Sequence, residues 1–157
     1  MPNKVTCAIT KRKNGICRLF VYGTLMSKAI GTMGKAQRNR LQREGCSLGA
    51  ATMHGAQLYD LGRYPGLVES GDLGHIVHGE LIALANPHIT LRWLDEYEGF
   101  VPGDHDQNEY TRLERQVRIA DGSERSAFVY ICLRVAEHHR LIVRGRYMAA
   151  LTRQRQN

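Results

Sequence analysis

The stretch RLFVYGTL, residues 18–25, is the part of the sequence that decides the fold. Its run Leu19–Tyr22 is apolar, β-branched or aromatic throughout, which is typical of a strand. Gly23 and Thr24 end the run, and glycine adopts the positive φ angles that turn successive backbone N–H groups toward one point. We therefore expect a strand and then a tight loop, which is either a plain β-turn or a site for a carboxylate or an oxyanion.

Further strands are predicted downstream of this loop. Strand-like runs cover Ala51–Leu58, Ile76–Ala85, Tyr110–Ile119 and Ser126–Leu133, and with one more from residues 1–17 the total is about six. The pair Asp121-Gly122 is a good hairpin signal between the last two runs. Gly79 inside a strand indicates a bulge or a close backbone approach. Helices are too sparse here for a doubly wound parallel sheet, so we predict an α+β fold, a small mixed, mostly antiparallel β-barrel with surrounding helices.

One helix is well defined by its end signals. Asn86 is a favourable N-cap residue, Pro87 suits the first helical position, and Gly99 is a typical terminator. Residues 26–43 contain two internal glycines, so only a helical turn or two is expected there. The segment from Val135 to the end is predicted to be a helix with a frayed basic tail.

Length and charge favour one domain without a membrane span. The chain has 157 residues, with 22 Lys and Arg against 15 Asp and Glu, which gives a net charge of +7. We divide it into a leader (1–17), one domain (18–147) and a basic tail (148–157). No apolar run approaches the roughly 18 residues of a spanning helix, and the basic N-terminus lacks the apolar core of an export signal. A cytoplasmic location is therefore expected.

The spacing of cysteines and histidines argues against structural disulfides and metal sites. The four cysteines lie far apart and form no CxxC pair: Cys7, Cys17, Cys46 and Cys132. His75 and His78 have ligand-like spacing, but no cysteine or carboxylate stands beside them at ligand spacing, so a solvated turn is favoured. We expect free thiols, no metal and no cofactor.

Glu98 is the candidate catalytic residue that the helical pattern singles out. At about 100° per residue it lies between Leu91 and Leu94, on the face expected to be buried. Burial and the negative end of the helix dipole both disfavour a charged carboxylate, so its pKa should rise and make it a better base. The alternative from the pattern alone is a glutamate at a frayed helix end, which reaches water or pairs with an arginine.

Five short segments together resemble the γ-glutamylcyclotransferase superfamily and its AIG2-like members. In the order expected for that family they are the YGTL loop at Tyr22–Leu25, the Tyr-Pro-Gly loop at Tyr59–Gly66, the VxGE strand at Val77–Leu81, LDxxEG at Leu94–Gly99, and YxRxxV beginning at Tyr110. The resemblance runs from about Leu19 to Tyr147. The polar segment Gly99–Glu109 departs from the pattern, and the pocket can differ there.

The resemblance implies an enzyme and assigns its site residues. Such enzymes cyclise the γ-glutamyl group of a γ-glutamyl amine or peptide to 5-oxoproline and release the free amine, without metal or cofactor. The catalytic acid and base of the family corresponds to Glu98. The substrate-binding loop corresponds to Tyr22, Gly23, Thr24 and Leu25. Tyr110 is either a further pocket residue or an ordinary barrel aromatic. The released amine, which can be a polyamine or a natural-product amine, and the oligomeric state stay open.

Clustered arginines support a rival interpretation. One basic run lies within residues 35–43 and another within residues 134–155, where Glu137 is the lone acidic residue. Such clusters bind phosphates, so a non-catalytic scaffold that binds an acidic partner or nucleic acid is the alternative function. No known nucleic-acid module is present and aromatic residues are few. We expect at most weak, salt-sensitive and sequence-independent binding of nucleic acid.

Overall fold

The computed structural model describes residues 16–104 and 107–147. This part of the chain contains eight strands and two helices. In chain order they are β1 (Arg18–Val21), α1 (Lys35–Glu44), β2 (Gly45–His54), β3 (Ala56–Asp60), β4 (Pro65–Glu69), β5 (Ile76–Leu84), α2 (Pro87–Tyr97), β6 (Tyr110–Ile119), β7 (Glu124–Cys132) and β8 (Arg140–Ile142). Neither helix is long and apolar enough to cross a membrane.

Five strands close into a barrel in the order β1-β5-β2-β6-β7. All neighbouring pairs around it are antiparallel except β1 and β7, which run parallel and meet at Leu19 and Phe128. This last pairing closes the barrel. The predicted fold class, a mixed and mostly antiparallel barrel with helices outside it, is confirmed.

Strand β1 is apolar after Arg18 because both of its faces are buried. Phe20 and Tyr22 belong to the hydrophobic core that includes the barrel interior. Leu19 and Val21 point the other way, into a second core that includes residues of α1 and α2. Alternate residues of a strand face opposite sides of the sheet, so a strand between two cores needs an unbroken apolar run.

The predicted hairpin and the predicted close approach at Gly79 are both confirmed. Strands β6 and β7 pair from Tyr110 opposite Cys132, and Gly122 occupies the turn with a φ of 84°. A Cβ atom at Gly79 would lie 2.3 Å from the carbonyl oxygen of Val21, so only glycine fits. The register shift of the barrel lies in β2, between Ser47 and Gly49.

A second sheet, in the order β4-β3-β8, was not predicted. The strand expected at Ala51–Leu58 is two strands, β2 and β3, because Gly55 breaks it with a φ of 80°. The expected helix from Val135 is wrong over the described residues up to Arg146, which form turns and β8. Pairing of β8 with β3 buries Ile142 beside Leu58, and this tertiary contact outweighs local helical preference. The leader and the tail lie almost wholly outside the described residues.

The cysteines and α1 also depart from expectation. Cys132 is a free thiol as predicted, whereas Cys46 is disulfide-bonded, because sequence spacing says little about distance in the fold. Helix α1 is ten residues long instead of a turn or two. It begins directly after Gly34, whose φ of 70° lets the chain turn into the helix, and it buries Arg38 and Leu41.

Candidate active site

Helix α2 is fixed to the barrel by a buried polar cluster at its last turns. Asp95 accepts two hydrogen bonds from the guanidinium of Arg112 on β6, at 2.8 and 3.0 Å. It also accepts one from the hydroxyl of Tyr130 on β7, at 2.7 Å. Two-point pairing of this kind sets orientation as well as distance. It therefore determines where the residues at the end of α2 point.

Glu98 lies at that end of α2, as the C-cap residue. Its backbone N–H still bonds to the carbonyl oxygen of Leu94, at 2.8 Å, and Gly99 then turns the chain away with a φ of 66°. The residue is partly exposed, but protein atoms surround its carboxyl group. This burial raises the pKa of Glu98 to about 7, with the nearby Glu109 carboxylate as a smaller second cause. No hydrogen bond from residues 16–104 or 107–147 reaches the Glu98 carboxylate.

A cavity of about 200 Å³ opens beside the end of β1 and is lined by all six residues singled out from the sequence. They are Glu98, Tyr22, Gly23, Thr24, Leu25 and Tyr110. They come from the segment directly after β1, the end of α2 and the start of β6, so only the closed barrel brings them together. Their roles in binding and catalysis stay predictions.

The loop after β1 lines this cavity with Gly23, Thr24 and Leu25. The N–H of Met26 bonds to the carbonyl oxygen of Gly23, at 3.1 Å, which closes a turn. The N–H groups of Thr24 and Leu25 form no hydrogen bond with the described residues. The expectation of a positive φ at Gly23 is wrong. Glycine is required there because a Cβ atom would lie 2.6 Å from the ring of Pro65.

Two charged side chains hold this loop from behind. Arg38, which is buried, donates to the carbonyl oxygens of Thr24, at 2.7 Å, and of Gly31, at 3.0 Å. Glu80 accepts from the N–H of Ser27, at 2.8 Å, and from its hydroxyl, at 2.6 Å. The shape of the loop is therefore set before any ligand arrives.

The two tyrosines expected at the site have committed their hydroxyl protons to the protein. Tyr22 donates to the carbonyl oxygen of Tyr130, at 2.6 Å, and Tyr110 donates to that of Pro65, at 3.1 Å. Burial raises the pKa of both tyrosines above the ordinary value, so both stay neutral. They form walls of the cavity with the rings and are not acids. The Thr24 side chain is in hydrogen-bond contact with Tyr97, another wall residue.

A second carboxylate in the cavity, that of Glu109, was not predicted from the sequence. The hydroxyl of Tyr64 donates to its Oε1 atom at 2.5 Å, and this bond is the largest cause that raises the pKa of Tyr64 to about 12. Both residues line the cavity. The available signals were weak, because Glu109 ends an irregular polar segment and Tyr64 lies in a turn-rich loop.

The basic clusters are partly used in structural contacts. In the first cluster Arg38 is buried under the loop, and Arg40 pairs with Glu44 at 2.6 Å and stacks over Trp93. In the second, Arg134 donates to the carbonyl oxygen of Asn108, and residues 153 and 155 lie outside the description. Binding of nucleic acid stays a prediction.

Several solved structures share this fold. An AIG2-like protein of the mouse is 24% identical and has a TM-score of 0.62, over 85% of this chain and 89% of the other. An uncharacterized protein of Pyrococcus horikoshii is 18% identical with a TM-score of 0.61, over 90% and 98% of the two chains. The protein ytfP of Escherichia coli is 27% identical with a TM-score of 0.56, over 85% and 97%.

A family model gives the more specific result. No curated protein matches the chain significantly. The model described as "Gamma-glutamyl cyclotransferase, AIG2-like", in contrast, matches residues 19–149, which include every strand of the barrel and every candidate site residue. The sequence segments, the closed barrel and this match agree, and the chain therefore belongs to the AIG2-like γ-glutamyl cyclotransferase family.

Proposed function

We propose that this protein is a cyclotransferase that converts the γ-glutamyl group of a γ-glutamyl amine or peptide into 5-oxoproline and releases the amine. One observation carries the proposal. A carboxylate with a pKa of about 7, that of Glu98, lines the same small cavity as Thr24 and Leu25, whose backbone N–H groups form no hydrogen bond with the described residues. A base that is half protonated near neutral pH suits a reaction in which one proton is taken and then returned.

The nucleophile of this reaction belongs to the substrate. Glu98 takes a proton from the α-ammonium group, and the freed nitrogen attacks the γ-carbonyl carbon to form the new ring bond. The bond from that carbon to the leaving nitrogen then breaks as Glu98 returns the proton to it. The second proton that the ring nitrogen loses, and the second that the released amine gains, pass through solvent. Because the two reacting groups are in one molecule, proximity supplies much of the acceleration.

The loop after β1 supplies the electrostatic part. The N–H groups of Thr24 and Leu25 would hold the substrate carboxylate or the oxyanion that develops on the γ-carbonyl oxygen. Donors held in place beforehand stabilise such charge without further reorganisation. Arg38 and Glu80 provide that rigidity from behind the loop.

The test is release of 5-oxoproline from a panel of γ-glutamyl amino acids and γ-glutamyl amines. We compare the unaltered protein with Glu98→Gln, which keeps the size of the side chain and removes the base. Glu96→Gln is the matched control, because Glu96 is on the same helix and exposed. Turnover should fall about 10²- to 10⁴-fold in Glu98→Gln and stay unchanged in the control.

The opposite outcome is equally clear. If the folded, unaltered protein and Glu98→Gln release no 5-oxoproline from any panel member, the cyclotransferase proposal is wrong. The non-catalytic scaffold with an arginine-rich surface then becomes the leading function. Retention on DNA at about 0.2 M salt would support that alternative.

A further inference from the structure

The charged side chains that line the cavity are both acidic. Glu98 and Glu109 face it, and no lysine, arginine or histidine of the described chain is among the lining residues. Arg38 lies nearby, but its guanidinium is used by two backbone carbonyl oxygens of the loop. The proposed reaction needs one carboxylate. Glu109 is therefore a second acidic group that the proposed mechanism does not use.

Glu109 is held in place at its side chain and at its backbone. The Tyr64 hydroxyl donates to Oε1 at 2.5 Å, and the backbone N–H of Leu133 donates to the Glu109 carbonyl oxygen at 2.9 Å. No hydrogen bond from the described residues occupies Oε2. The carboxylate thus has one oxygen fixed and the other available to a ligand.

The surroundings of Glu109 favour a positively charged partner. A partly buried carboxylate is costly unless it is paired, and the lining residues supply no cation. The rings of Tyr64 and Tyr110 line the same cavity, with centroids 6.4 Å apart. Aromatic faces attract ammonium groups, so carboxylate and rings act in the same direction.

We propose that Glu109 selects the leaving group, by pairing with a positively charged nitrogen that the released amine carries. This inference rests on the proposed function. The substrate class is a γ-glutamyl amide of a diamine or polyamine, whose far ammonium group pairs with Oε2 of Glu109 beside the rings of Tyr64 and Tyr110. Glu98 carries out the chemistry, and Glu109 determines which amine is accepted.

The same arrangement disfavours γ-glutamyl amino acids. Their leaving group carries a carboxylate of its own, which would enter a cavity that holds two glutamates and no lining cation among the described residues. The open N–H groups of Thr24 and Leu25 can satisfy the substrate's α-carboxylate, but a second anion has no donor there. Like charges close together in a poorly solvated site repel strongly.

Three γ-glutamyl compounds of matched length test the inference. Their leaving amines are 1,4-diaminobutane, n-pentylamine and 4-aminobutanoate, which end in a cation, a methyl group and an anion. At pH 8 we expect kcat/KM for the diamine compound to exceed that for the pentylamine compound about tenfold or more, the effect of one charge-assisted contact. The aminobutanoate compound should be the poorest of the three.

Variants then assign the preference to Glu109. In Glu109→Gln the ratio of diamine to pentylamine turnover should fall to within about threefold of one. The ratio cancels any change in the base, because Glu98 acts on both compounds. Tyr64→Phe removes the hydrogen bond to Oε1. It should lower the ratio of diamine to pentylamine turnover only in part, through a higher KM for the diamine compound. Glu114→Gln, an exposed glutamate on β6, should keep the full ratio.

Each outcome decides something. Equal turnover of the diamine and pentylamine compounds by the unaltered protein would overturn this inference and leave the cyclotransferase intact. That comparison needs no variant, so it holds even where Glu109→Gln fails to fold. A full ratio in folded Glu109→Gln would also overturn it. Silence on all three compounds would overturn the proposed function, and this inference with it.

Discussion

One glutamate binds the loop after β1 and another lines the cavity beside it, and their surroundings differ sharply. Glu80, on β5, is 9% exposed and accepts three hydrogen bonds, from the N–H and hydroxyl of Ser27 and from the hydroxyl of Ser47, the last at 2.6 Å. The Glu98 carboxyl is also surrounded by protein, yet no described residue donates to it, and its pKa rises to about 7.

The difference shows which surroundings suit a buried carboxylate to a structural role and which suit it to a chemical one. Donors satisfy a buried charge, fix its position and leave it nothing further to bind. Burial without donors leaves the proton affinity high and the oxygens available. In this protein the satisfied glutamate shapes the loop, and the unsatisfied one faces the cavity that the loop borders.

The largest expected effect is on the pH dependence of catalysis. Because Glu98 must be deprotonated to act as a base, kcat/KM should fall about 50-fold from pH 7 to pH 5. Glu80→Ala should keep this acidic limb, since its base is intact. Glu109→Gln should move the limb to lower pH, because the Glu109 charge raises the pKa of Glu98. A profile that is flat below pH 7 would contradict the assignment of Glu98.

The second effect is on stability at Glu80. Glu80→Ala removes the acceptor for one N–H and two hydroxyl groups, so the free energy of unfolding should fall by about 3 kcal/mol. Urea denaturation measures this change. An exposed glutamate on β6, Glu114, provides the control, and Glu114→Ala should change stability by less than about 0.5 kcal/mol. Equal losses of stability in Glu80→Ala and Glu114→Ala would contradict the structural role assigned to Glu80.

Glu98→Gln should change the free energy of unfolding in the opposite direction from Glu80→Ala. The pKa of Glu98 is raised on folding, so the folded protein binds more protons than the unfolded one between about pH 4.5 and pH 7. Its contribution to stability is therefore present below about pH 4.5 and is lost as the pH rises to about 7. Glu98→Gln should remove this loss, so that the free energy of unfolding rises by at most about 3 kcal/mol at pH 8. Urea denaturation at pH 4.5 and at pH 8 measures the change. A loss of stability at pH 8 would mean that the carboxylate has partners.

The smallest effect concerns the loop support. Arg38→Met removes the donors to the carbonyl oxygens of Thr24 and Gly31, so KM should rise about fivefold, the equivalent of one ordinary hydrogen bond, with kcat little changed. Arg40→Met, on the same helix but at the surface, should leave KM within twofold. Steady-state kinetics on the best substrate separates the two constants.

The sequence predicted the residues whose signals are local. Glycine 99 and the apolar spacing around Leu91 and Leu94 placed Glu98 at a buried helix end, and the structure has it there. Asp121-Gly122 predicted the hairpin correctly. In each case the deciding contacts lie within a few residues of the signal.

The features that were missed depend on contacts between distant segments. Glu109 joins the cavity because Tyr64, 45 residues earlier, holds it there. Strand β8 forms because Leu58 pairs opposite Ile142, and local preference alone favours a helix at Val135. Glycine is required at position 23 because a side chain there would collide with the ring of Pro65, and no pattern near residue 23 shows this. Such contacts have no local signature from which to predict them.

The closure of the barrel through β1 and β7 has a consequence for how the chain acquires its activity. The Tyr22 hydroxyl bonds to the carbonyl oxygen of Tyr130 across 108 residues, and the parallel pairing of the same two strands spans a similar length. Contacts between such distant residues form late and make folding slow. During synthesis, the first strand must therefore wait until nearly the whole barrel has been made before its neighbouring loop can meet the end of α2 that holds Glu98. Recovery of 5-oxoproline release during refolding would then report the last step of assembly.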